Sequence, residues 1–120
     1  MPIKLKRIYD EASKSDGMRI LVDRLWPRGI SKERAQVDEW MRDISPSNEL
    51  RKWVHEDPSR WAEFKRKYFK DLREHEEALD VIRKTAKRKT VTLLFAAKDE
   101  KQNNAVALLE YLKKPKSSDP

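Results

Sequence analysis

Met18-Arg19-Ile20-Leu21-Val22-Asp23-Arg24-Leu25 and Thr90-Val91-Thr92-Leu93-Leu94-Phe95-Ala96-Ala97 are the two stretches from which the fold class follows. In the first, Met18, Ile20 and Val22 share one face of an extended chain, and Leu21 and Leu25 the other. In the second, Val91, Leu93 and Phe95 alternate with Thr92, Leu94 and Ala96 in a nearly unbroken apolar run. Strands that are apolar on both faces are covered on both, which is the pattern of a parallel sheet between helices. Both should therefore be central and adjacent. Ile3 to Tyr9, where Ile3 and Leu5 alternate with lysines, reads as an edge or near-edge strand, and Asp16-Gly17 as the turn before the first central strand.

Working outward, Ser45 is the expected N-cap of a short helix, with Pro46 at its first position and Leu50, Trp53 and Val54 as the apolar stripe. Asp57 and Pro58 should open a second helix whose stripe, Trp61, Phe64, Tyr68, Leu72, Leu79 and Ile82, runs for more than twenty residues. It exits through Arg83, Lys84, Lys87, Arg88 and Lys89. A third is expected from a capping pair, Asp99 and Gln102, through Val106, Leu109 and Leu112 to Pro115. Ser31 to Gln36 suits a helical turn, and Val37 to Met41 a short extended segment. Strands alternating with helices predict a single-domain, three-layer α/β fold over residues 1–114, its mainly parallel sheet flanked by helices, with a disordered tail over 115–120.

Composition narrows the function classes. A chain of 120 residues holds one core. It has no cysteine, which removes disulfides, thiolate nucleophiles and thiolate metal ligands and fits a reducing, cytoplasmic setting. No apolar run suits a signal peptide or membrane span. The formal net charge of +7 permits an anionic partner, although acidic residues are interspersed nearly throughout. His55 and His75 lack a second histidine at ligand spacing, so neither a metal nor another cofactor is expected. Gly17 and Gly29 are the only glycines, which excludes a glycine-rich phosphate loop.

In open α/β sheets ligands lie beyond the carboxyl ends of the strands. The segment after the first central strand, Asp23-Arg24-Leu25-Trp26-Pro27-Arg28-Gly29, therefore supplies the candidate site. Arg24 and Arg28 offer forked donors for phosphate or carboxylate, Asp23 could orient one of them, Trp26 could meet a ligand, and Gly29 allows close backbone approach. Ser47, with Arg51 one helical turn later, adds an anion-binding helix start. Asp23 and His55 are the candidate proton carriers. The competing structural roles are plain: Asp23 could pair with Arg24 or Arg19, and Trp26 could be core.

The run from Asp16 to Gly29 resembles the signature of the YeaO-like family of small prokaryotic proteins. The resemblance continues through Trp40, Ser45-Pro46-Ser47, Leu50-Arg51-Lys52-Trp53, His55-Glu56-Asp57-Pro58, Trp61, Phe64, Tyr68 and Thr92 to Asp99, covering roughly residues 3–113. It implies an α/β fold and carries over no reaction or catalytic residue. The residues themselves favour an anionic small molecule, such as a nucleotide, at an arginine-rich strand-end cleft. Two alternatives stand beside it: a nucleic-acid-binding or regulatory module using the basic surface at Arg83 to Lys89, and a protein-interaction module.

Overall fold

The computed structural model describes residues 2–114; the expected disordered tail lies outside the described residues. Strand β1 (Ile3–Arg7) leads through a 3-10 turn at Lys14–Asp16 to β2 (Met18–Leu21). The one-turn helix α1 (Lys32–Ala35) precedes the two-residue strand β3 (Glu39–Trp40). Three helices follow, α2 (Asn48–Glu56), α3 (Trp61–Leu72) and α4 (Glu76–Arg88), then β4 (Val91–Phe95) and α5 (Asn104–Lys113). The sheet is parallel throughout, in the order β1-β4-β2-β3. Ile20 lies beside Leu93 and Leu21 beside Leu94, so the two doubly apolar strands are the central neighbours that their pattern demands.

Each sheet face has its own core. Ile20, Val22, Val91, Leu93 and Phe95 pack with Val54, Phe64, Tyr68, Leu79, Ile82 and Leu108 from α2 to α5. Leu21 and Leu94 face the other way, onto Ile8, Ile30 and Ala35, with Trp26 and Trp40 at the margin. The layers are unequal: four helices cover one face, and α1 with its flanking loops covers the other. That thinner side is tied down by a buried ion pair. Arg19 donates to the Asp16 carboxylate at 2.6 Å and to the carbonyls of Ala35 and Gln36, while Lys6 binds Asp16 from β1. Arg19 thus pairs with Asp16 and not with Asp23.

Several expected boundaries move, each for a local reason. Strand β2 ends at Leu21, because Asp23 uses its side chain to accept the Ala96 N–H at 3.0 Å where a further strand residue would have used its backbone. Leu25, expected on a buried face, is consequently 52% exposed. The N-cap of α2 is Ser47, whose hydroxyl accepts the Leu50 N–H; Ser45 lies two residues earlier, buried and donating to the Met41 carbonyl. The long helix is two helices. After Leu72 the chain tightens into a 3-10 turn, and His75 leaves the helical region at φ −123°, ψ 32°, so the unbroken apolar stripe crosses a bend. Asp99 caps a turn through the N–H groups of Lys101 and Gln102, whereas the N-cap of α5 is Asn103, which accepts from Val106.

Candidate functional site

A cavity of about 420 Å³ opens at the carboxyl ends of β2 and β4, where the parallel sheet meets the start of α5. Its walls come from five places in the chain. Helix α2 contributes Arg51, Val54 and His55, which share one face because they are three and four residues apart. The start of α3 brings Trp61 and Phe64, stacked with ring centres 5.3 Å apart, with Pro58 just before them. The loop after β4 supplies Ala96 to Asp99, and the beginning of α5 supplies Gln102 to Asn104. Asp23, immediately beyond β2, completes the lining.

Asp23 is 9% exposed and is the buried acid of this cavity. Its carboxylate accepts from the Ala96 N–H and from the Asn104 side-chain amide at 3.1 Å, and that amide also donates to the Val22 carbonyl. Burial pushes its pKa above the ordinary carboxylate value, against the opposing pull of Asn104, the Ala96 N–H and the nearby Arg51. No cation lies within ion-pairing distance of it among the described residues, and Arg51 likewise has no carboxylate partner there. Arg51, His55 and Lys98 are exposed, whereas Val54 and Phe64 are buried, so the basic groups stand toward solvent and the apolar wall lies deeper. Asp99 is held below its usual value by the N–H groups of Gln102 and Lys101, and stays ionised.

Of the residues singled out from sequence, the structure brings Asp23, Arg51 and His55 into this one cavity. The others lie outside its lining. Arg24 donates to the Ser45 carbonyl at 2.7 Å and to the Pro46 carbonyl at 3.2 Å, clamping the chain that leads into α2. Trp26 donates to the Ile30 carbonyl and meets Trp40 edge-on at 5.5 Å, which makes it a packing residue. Arg28 is exposed, its carbonyl accepting from Tyr9, and its side chain has no hydrogen bond or ion pair with a described residue. Gly29 turns the chain at φ +77° in open space. Ser47 caps α2 and borders a separate groove with Trp53, Lys67 and Lys70. Of arginines 24, 28 and 51, only Arg51 lines this cavity; Arg24 is engaged by carbonyls, and Arg28 lies farther along the same loop after β2.

Sequence reasoning missed Trp61, Lys98, Asp99, Gln102, Asn103 and Asn104. The rule that led to the loop after β2 applies equally to the loop after β4, and Lys98-Asp99 followed by Asn103-Asn104 would have emerged from it. Among the described residues, no three His, Cys, Asp or Glu side chains gather as a metal site, and no helix is long and apolar enough to cross a membrane. At the exit of α4, Lys87, Arg88 and Lys89 are exposed, but Arg83 is bound by Glu76 and Asp80.

A family model described as the inactive DUF488-N3 subclade matches residues 2–119. The chain belongs to this family. It is 46% identical over 113 residues to a protein of Escherichia coli named "Uncharacterized protein YeaO", covering 94% of this chain and 98% of that one. It is 37% identical over 110 residues to "Uncharacterized protein Rv3073c" of Mycobacterium tuberculosis, covering 92% of each. A Mycobacterium bovis protein, Mb3100c, matches to the same extent. No solved structure matches the chain. Membership bears out the YeaO-like resemblance, and the parallel sheet with its helices bears out the α/β fold.

Proposed function

We propose that this domain binds a small molecule carrying a carboxylate or phosphate in the cavity between β2, β4 and the starts of α3 and α5, and that it binds this molecule without converting it. The observation that carries the reading is the convergence of Arg51, His55 and Lys98 on one cavity with an aromatic wall at the carboxyl edge of a parallel sheet. Its volume of about 420 Å³ suits a small ligand. The amino end of α5 adds partial positive charge from its leading N–H groups. Arg51 and Lys98 are the anion ligands, and His55 is a further donor.

Binding without turnover is supported by the description of the family's subclade as inactive. A nucleic-acid partner at the exit of α4 has less behind it, because Arg83 is neutralised there and the same helix begins with Glu76 and Glu77.

Titration calorimetry at low salt with small carboxylates and nucleoside monophosphates tests the proposal. Arg51→Ala should weaken whatever binds by about tenfold, the loss of one charge-assisted contact, and Arg28→Ala should leave it unchanged. Binding that ignores Arg51, or that is lost with Arg28, would place the site elsewhere.

A further inference from the structure

Among the described residues two carboxylates are buried, and they are treated differently. Asp16, 3% exposed, is met by both Arg19 and Lys6. Asp23 is held only by an amide N–H and a side-chain amide, both neutral, and its remaining surface faces the cavity. Buried charges are ordinarily paired, since an isolated ion in low dielectric is costly. Arg51 stands in the same lining and acts on Asp23 through space without a direct ion pair, and the formal charges of that lining balance, Asp23 and Asp99 against Arg51 and Lys98. A dianion would meet Arg51 and Lys98 at the expense of repulsion from Asp23. A simple cation would meet Asp23 and be repelled by the two bases. Only a molecule that is dipolar, with both charges, satisfies both ends.

Resting on the reading that this cavity binds a carboxylate or phosphate, we infer that its ligand is a zwitterion of the α-amino-acid type, with its ammonium at Asp23, its carboxylate at Arg51 and Lys98, and an apolar or aromatic side chain against Trp61 and Phe64. The stacked pair of rings and Val54 give that side chain an apolar surface, which an aliphatic or aromatic amino acid has and a polar one lacks. An incoming ammonium also supplies the direct ion pair that Asp23 lacks, and so favours the ionised carboxylate which burial alone disfavours.

The test is calorimetry on the full chain with L-phenylalanine, L-tryptophan and L-leucine. Each is compared with the amine that lacks its carboxylate and the acid that lacks its ammonium, and guanosine monophosphate is added as a dianionic probe. At least one amino acid should bind about tenfold more tightly than either of its half-molecules, the effect of one ion pair in a partly buried site. Asp23→Asn should bring the ratio between amino acid and acid toward one. Because Asp23 also holds Ala96 and Asn104, the variant's melting curve is recorded alongside, and the comparison of ligands on the unaltered chain stands whether or not the variant folds. If a half-acid or the nucleotide binds as tightly as the amino acids, the zwitterion inference is overturned while the anion-binding reading stands. If none of the probes binds, both are overturned.

Discussion

Replacing Asp16 with asparagine should destabilise this protein more than any other single change of similar size on its polar side. The carboxylate accepts from the Ser13 N–H at 2.9 Å, from Lys6 at 3.0 Å and from Arg19 at 2.6 Å, and both Asp16 and Arg19 are at most 4% exposed. Removing one member of a buried pair leaves the other charge uncompensated, at a cost of roughly 3–5 kcal/mol. Arg19 keeps its carbonyl partners Ala35 and Gln36, and Lys6 can turn to solvent, so the lower end, about 3 kcal/mol, is expected. With a urea slope of about 2 kcal/mol/M for a domain of this size, the midpoint should fall by about 1.5 M.

The pH dependence gives a second handle on the same pair. Burial raises the Asp16 pKa, but the Ser13 N–H, Lys6 and Arg19 together outweigh it and hold the group below its ordinary value of 3.8. Its charge therefore stabilises the fold fully at pH values well above 3.8, and that contribution disappears as pH falls through the lower folded-state value. Urea titrations followed by tryptophan fluorescence should show the full gap between the unaltered protein and Asp16→Asn at pH 7, closing in strong acid. A gap below about 1 kcal/mol at pH 7, or one that persists undiminished in acid, would refute the assignment of Asp16 and Arg19 as a stabilising pair.

Leu93→Ala, which truncates a fully buried side chain in the middle of β4, should cost about 2–5 kcal/mol by the same titration. The two glycines should part company. A Cβ on Gly17 would lie 2.0 Å from the Thr90 carbonyl oxygen at φ +64°, so Gly17→Ala should cost roughly 3 kcal/mol or prevent folding, whereas Gly29→Ala meets only the left-handed backbone penalty of about 1 kcal/mol. Among the arginines, Arg24→Ala should cost about 1–3 kcal/mol by stranding the Ser45 and Pro46 carbonyls, while Arg51→Ala should change stability by less than about 0.5 kcal/mol. Thermal melts of the two variants give that comparison directly.

The sheet was legible in the sequence because burial on both faces leaves a mark that tolerates boundary errors: Leu21 and Leu94 look one way, Ile20 and Leu93 the other. Even the least regular stretch, Ser31 to Met41, holds the helical turn and the short extended segment expected of it, the turn capped by Ser31 and the strand reduced to Glu39–Trp40. Periodicity failed where a side chain took over a backbone role. Asp23 ends β2 by accepting the N–H of Ala96 just beyond β4, and Ser45 lies in the position of a helix cap without being one, because Ser47 follows two residues later. The bend at His75 was hidden for a related reason, since both halves present apolar residues to the same core.

The candidate site was legible to the extent that chemistry follows strand ends. Asp23 lies beyond β2 as the rule for open sheets requires, and Arg51 and His55 share the helix face that looks onto it. Arg24 and Trp26 were indistinguishable from ligand residues because a guanidinium that binds a carbonyl and one that binds a phosphate have the same sequence. Lys98 and Asn104 follow from the same rule once it is applied to the loop after β4 as well as to the loop after β2, because the two strands are neighbours.

The measurement that bears most directly on the site is a titration of the isotopically labelled full chain with L-phenylalanine and 3-phenylpropanoate, followed amide by amide in two-dimensional NMR. The account predicts saturable shifts at Arg51, His55, Ala96 to Lys98 and Asn103 to Asn104, the residues that surround the cavity. Amides at Arg28 and Gly29, and at Lys87 to Lys89, should stay where they are. Shifts confined to either of those segments, or a spectrum that neither compound changes, would contradict it.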